Sequence, residues 1–123
     1  RYDDLLDDVS DAARQRERSF YQQLLEELGK LNRGQLSRDN QVDHQLLTHQ
    51  LRGDLWRLDR LQEWAWNPIL YTQIPGSAIY GLMAREFAPV EKRLLSVAAR
   101  LEKLPKLYDQ IRATLDPKRV PLI

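Results

Sequence analysis

The sequence predicts an all-α fold, a long antiparallel helical hairpin with two to three further helices packed on it. Three observations carry that prediction. Apolar residues recur at steps of three, four and seven through most of the chain. No stretch alternates apolar and polar residues as a half-buried strand does. Most glycines and prolines fall between the periodic runs, where they punctuate helices.

The first helix is marked by Leu5, Val9, Ala13, Phe20, Leu24, Leu28 and Leu31, which form a single stripe. Asp3, Asp4, Asp7, Asp8 and Asp11 lie near its expected start, where the helix dipole favours negative charge. Arg16 and Glu17 interrupt the stripe, so the middle is expected to be wetter than the ends. Gly29 weakens the last turn and Asn32-Arg33-Gly34 supplies a stop. Ser37 is placed to cap a second helix. Its broad apolar face runs through Val42, Leu46, Leu47, Leu51, Leu55, Leu58 and Leu61 toward Trp64 and Trp66. Proline disfavours helical backbone in the residue before it, so this helix is expected to stop at Asn67-Pro68. Two long helices with a short polar link make an antiparallel hairpin.

Residues 68–77, with Pro68, Pro75 and Gly76, read as a structured loop, and Ser77 as the cap of a short helix to about Met83. Pro89 suits the first turn of the next helix. Val90, Leu94, Val97, Leu101 and Leu104 line one face of it, and Leu94, Val97 and Leu101 are expected to pack across the hairpin. Pro105 breaks or restarts that helix, and Leu107, Ile111 and Leu115 continue as another. The tail ends in Val120-Pro121-Leu122-Ile123, an apolar run with nothing evident to pack on.

A chain of 123 residues with 42% apolar and 30% charged residues is globular in composition, and residues 1–123 are expected to form one helical domain. No apolar run reaches the length of a membrane span. A net charge of +1 gives no case for nucleic-acid binding. Residues 1–84 carry 10 Lys/Arg against 13 Asp/Glu, and residues 85–123 carry 9 against 5. Solvated helix faces account for such runs, and an acidic partner for the second half is the alternative. The absence of cysteine excludes disulfide and thiolate chemistry. The chain opens on Arg1 rather than Met, so it is expected to be a fragment of a larger protein, cytoplasmic, or exported if a leader preceded it.

No complete active site is visible. His44 and His49 stand five residues apart, about 140° around a helix. They are poorly placed to share a metal, which needs three or four convergent ligands. His44 reads as a polar residue near a helix start and His49 as a partly buried, hydrogen-bonded one. Gly53, in mid-helix, suggests close approach of a neighbouring helix, with a ligand-approach site as the alternative. Asp39 and Asp43 lack a cleft, and Ser10, Ser19, Ser37, Ser77 and Ser96 lack a strained-elbow context. No catalytic, cofactor-binding or metal residue is assigned. The densest unusual feature is Glu63-Trp64-Ala65-Trp66-Asn67-Pro68-Ile69-Leu70-Tyr71. Trp64, Trp66, Asn67 and Tyr71 make either a corner of the core or a binding patch for a peptide or ligand.

Two runs of this sequence resemble a known family. Gln41-Val42-Asp43-His44-Gln45-Leu46-Leu47, Gln50-Leu51 and Glu63-Trp64-Ala65-Trp66-Asn67-Pro68 look like the amino-terminal region of the bacterial domain-of-unknown-function 885 family. Ala84-Arg85-Glu86-Phe87-Ala88-Pro89-Val90-Glu91-Lys92-Arg93-Leu94 is similar to a second segment of it, followed by Ala99-Arg100-Leu101-Glu102-Lys103-Leu104-Pro105. The resemblance covers roughly residues 37–117. It implies a parent protein several times longer, a helical metallopeptidase-like hydrolase with a His-Glu-Gly-x-Pro-Gly-His-His motif far toward the carboxyl end. That motif is not in this chain, so zinc belongs to the parent. On this resemblance the chain is a non-catalytic helical wall of a substrate cleft, with the remainder of the parent chain and a peptide substrate as its partners. Self-association is expected when it stands alone. The competing expectation is a free-standing helical protein-interaction module.

Overall fold

The computed structural model describes residues 2–121, and among these it contains helices and turns but no strand. Four long helices and one single-turn helix follow in order: α1 (Asp11–Lys30), α2 (Arg38–Trp56), α3 (Glu63–Trp66), α4 (Ile69–Ala84) and α5 (Val90–Thr114). The all-α prediction holds. Contacts divide the described residues into two compact units, one of residues 11–63 and one of residues 2–10 with 64–121.

The first unit is the predicted hairpin. Asn32 accepts a hydrogen bond from the Gly34 amide (3.0 Å), which closes the link after α1, and Ser37 Oγ accepts from the Asn40 amide to cap α2. His44 Nε2 lies 3.0 Å from the Leu28 carbonyl, while Arg18 Nε donates to Asp59 at 2.6 Å. One partner number falls as the other rises, so the helices are antiparallel. Leu51 and Leu58 are buried between them, and Leu24, Leu28 and Leu55 are half-buried. Phe20, Leu31, Val42, Leu46 and Leu47, expected on the inner face, are exposed.

The second helix ends earlier than Asn67-Pro68. Residues Arg57–Leu61 form a π turn, and the Gln62 amide donates to the Arg57 carbonyl at 2.8 Å. Gln62 then turns left-handed, at φ 49°, which terminates the helix as an αL cap does.

The second unit corrects the reading at four places. Residues 2–10 do not extend α1. They run as an irregular strap along α5, with Lys103 Nζ donating to the Asp4 carbonyl (2.6 Å), Gln110 Nε2 to Asp8 (2.9 Å) and Thr114 Oγ1 to the Val9 carbonyl (3.4 Å). Extended chain rises about 3.3 Å per residue and a helix about 1.5 Å. Residues 4–9 and 103–114 therefore both span about 16 Å, and the partners stay in step. Of the five aspartates, only Asp11 sits in the first turn of α1.

Residues 68–77 are not a loop, since α4 begins at Ile69. The Asn67 side chain accepts from the Ile69 amide (3.0 Å) and Pro68 has a helix-compatible φ of −65°. Asn-Pro here starts a helix rather than only ending one. Ser77 accordingly caps nothing. Helix α4 continues through Pro75, and α5 continues through Pro105 as one helix. Each proline removes one backbone donor, a cost of about 3 kcal/mol. Buried contacts on both sides offset it: Tyr71 and Leu82 flank Pro75, and Arg93 and Leu107 flank Pro105.

The α5 face is also rotated from the prediction. Arg93, Leu107 and Ile111 are buried and Val97, Arg100 and Leu104 half-buried, a stripe at steps of three and four. Leu94 and Leu101 are exposed, and α5 packs on α4. The core is Tyr71, Leu107 (2% exposed) and Ile111, with Leu6, Val9, Ile74, Leu104 and Leu115 against it. Of the apolar tail, Leu122 and Ile123 lie outside the described residues.

Candidate functional site

The aromatic corner is built on the single turn of α3. A helix this short leaves its carbonyls without intrahelical donors. Two tertiary donors supply them. The Tyr71 hydroxyl donates to the Trp64 carbonyl at 2.6 Å, and the Asp116 amide donates to the Ala65 carbonyl at 2.8 Å. Ala65 and Tyr71 are buried, while Trp64, Trp66 and Asn67 are half-buried. The four residues singled out by sequence are therefore brought together. Tyr71 joins the core, Asn67 caps α4, and each tryptophan keeps part of its surface in solvent.

A second constellation escaped the sequence reading. Arg93 is 9% exposed and its guanidinium is enclosed by backbone carbonyls. Nε donates to Ala88 (3.0 Å), and one terminal nitrogen faces Met83 (3.0 Å), Arg85 (3.1 Å) and Leu82 (3.3 Å). Leu82 and Met83 belong to the last turn of α4, whose carbonyls have no intrahelical partner and whose dipole is negative. A planar cation with several fixed donors suits that position better than an ammonium would. One helical stripe further on, Arg100 donates to the Ala78 carbonyl. These two arginines tie α5 to α4. The signal for them was present as arginines at i and i+7 on the face shared by Val97 and Leu104, but charge was read as exposure.

The histidines are placed the other way round from the expectation. His44 is half-buried, and since the Leu28 carbonyl can only accept, its Nε2 carries the proton of that bond. His49 is exposed. Both border an open groove of about 530 Å³ on α2, with Arg33 and Arg52 at its rim. Among the described residues no group of three or more His, Asp or Glu side chains gathers as a metal requires. His44 is already engaged with a carbonyl and no third ligand gathers beside the histidines, so these residues do not fit a zinc site. Gly53 is exposed, with open space where a Cβ would stand, so no close neighbouring helix explains it.

Tyr21 is a perturbed titrating group. Its hydroxyl donates to Glu17 at 2.6 Å. That bond, then partial burial, then the charges of Glu17 and Asp54 push the phenol up to about 12.

Among the described residues no helix is long and apolar enough to cross a membrane. No curated relative matches the chain. A solved structure from Shewanella oneidensis, described as that of a "putative lipoprotein of unknown function", is similar, with a TM-score of 0.83 and 26% identity. The match covers 93% of this chain but 20% of that one, so the chain spans about a fifth of its structural neighbour. The family model described as bacterial protein of unknown function (DUF885) matches residues 1–121. Because that match takes in residues 1–121 of the 123, the chain belongs to the DUF885 family of bacterial proteins.

Proposed function

We propose that this chain is the amino-terminal helical part of a larger zinc-dependent, peptidase-like hydrolase, in which it forms one non-catalytic wall of a substrate cleft. One observation carries the reading. The chain is a fifth of its neighbour's length, and it exposes large apolar side chains on helix faces, with Tyr80 and Leu95 each 73% exposed and Leu46 62%. Scattered exposed apolar residues are ordinary, whereas contiguous faces of them mark surfaces that another part of a protein covers. The rest of the parent polypeptide is that cover. The substrate class, a peptide, and the zinc both rest on the family resemblance.

The neighbour's description as a lipoprotein accords with an exported parent. Zinc, when bound in the parent, would polarise the scissile carbonyl and activate water. The present residues contribute shape and an apolar wall, and hold no proton for the reaction.

The test uses the intact polypeptide encoded by the same reading frame. A His-Glu-Gly segment downstream of Ile123, one bound zinc per chain and peptide hydrolysis lost on chelation are the expected results. A reading frame without that segment, or an intact protein inert toward zinc and peptides, overturns the reading. Zinc binding and peptide hydrolysis by the 123-residue chain itself would overturn its non-catalytic role.

A further inference from the structure

Helix α5 uses only one half of a two-sided apolar seam. Val90, Leu94, Val97, Leu101, Leu104, Tyr108, Ile111 and Leu115 recur at steps of four and three, the spacing of a helix that packs against neighbours along a shallow left-handed crossing. Val97, Leu104, Ile111 and Leu115 are turned inward, Ile111 in the core with Tyr71 and Leu107, and Leu104 and Leu115 against it. Val90, Leu94, Leu101 and Tyr108 are each more than two-fifths exposed. Ala98 and Pro105 are exposed between them. These six uncharged residues make a strip about 27 Å long and about 80° wide, at the rise and turn of an α-helix.

The strip has one charged border. At 100° per residue, Glu91, Glu102 and Asp109 fall along its outer edge, while the opposite edge is the buried face of Arg93 and Arg100. Glu91 and Glu102 have no cationic partner among the described residues, and Asp109 has only an exposed Arg112 at 3.6 Å. From this strip and its border we infer the occupant: an amphipathic helix from the remainder of the same polypeptide, whose apolar stripe is edged with Lys or Arg. The inference rests on the reading that the chain is part of a larger protein. Charge argues against a second copy, because an antiparallel self-pair would set this acidic border against itself.

The experiment compares the full-length polypeptide with the 123-residue chain, each carrying Leu94→Lys with Leu101→Lys, or Glu91→Lys with Glu102→Lys. In the full-length protein the leucine pair should lower Tm by at least about 5 °C, since two buried leucines are replaced by charges. The glutamate pair should lower it by a smaller amount that shrinks at high salt. Neither pair should lower Tm in the 123-residue chain, where the strip is already in water. Equal Tm for the full-length leucine variant and wild type would overturn the docked helix while leaving the larger-protein reading intact. A full-length dimer split into monomers by the leucine pair, without loss of Tm, would make a second copy the occupant. An unmoved glutamate variant would overturn the basic edge. A reading frame ending at Ile123 removes the larger-protein reading itself, and is seen before any variant is made.

Discussion

Arg93 is charged, nearly buried, and satisfied by carbonyls from four residues rather than by a carboxylate. Replacing it with leucine would leave the end of α4 without donors. Arg93→Leu is therefore expected to cost about 2–4 kcal/mol, the penalty for several orphaned polar groups, read as a lower urea midpoint. Arg93→Lys should recover only part, because one ammonium cannot span that arc of acceptors. Tyr21 gives a pH test. The fold favours its neutral phenol, so the contribution is whole below pH 10 and is lost as pH rises toward 12. Phenolate absorbance should show a late-titrating tyrosine, and Glu17→Gln should lower the pH at which it ionises. Gly53 meets nothing, so Gly53→Ala should raise stability by about 0.5–1 kcal/mol through helix propensity alone. A loss of stability there would reveal a contact for the glycine after all. Residues such as Ser37 and Asn32 were legible because a cap depends on near neighbours in sequence. Arg93 and His44 were not, because their acceptors lie 5–16 residues away and only the fold brings them near.

At the scale of elements, periodicity found the helical stretches and misjudged where they join. Proline was the main source of error. Asn67-Pro68 carries the chemistry of a helix start as well as a stop, and local sequence does not say which, since the choice depends on Tyr71 reaching back to the Trp64 carbonyl. The π turn at Arg57–Leu61 closes on a left-handed glutamine, a residue type with no preference for that conformation, so no signal announced it. The strap failed for another reason. Its spacing at Leu5, Val9 and Ala13 mimics a helix, but the residues that face the core are Leu6 and Val9. The continuity of α5 is open to test. Pro105 is exposed and its missing donor would face the Leu101 carbonyl, so Pro105→Ala should stabilise the chain by about 1–3 kcal/mol. Unchanged thermal and urea midpoints would show that the helix is interrupted there.

Taken as a whole molecule, the chain has more apolar surface than its two small cores consume. The 123-residue chain alone is expected to self-associate as its concentration rises, which sedimentation velocity would show as a weight-average mass climbing above 14.5 kDa. A concentration-independent monomer would count against the covered-surface reading. The aromatic corner was legible because tryptophans clustered before Asn-Pro are conspicuous in any sequence. The strap sets the order in which the second unit can be completed. Its partners lie 99 to 105 residues away along the chain. A ribosome makes residues 4–9 long before it makes Lys103, Gln110 or Thr114. Leu6 and Val9 must therefore wait, uncovered, through most of the chain's synthesis, while the Arg93 contacts, 5–11 residues apart, can close as soon as α5 emerges. The strap, though made before its partners, is thus the last part of this unit to find its place, and until then it offers two apolar side chains to whatever holds nascent proteins.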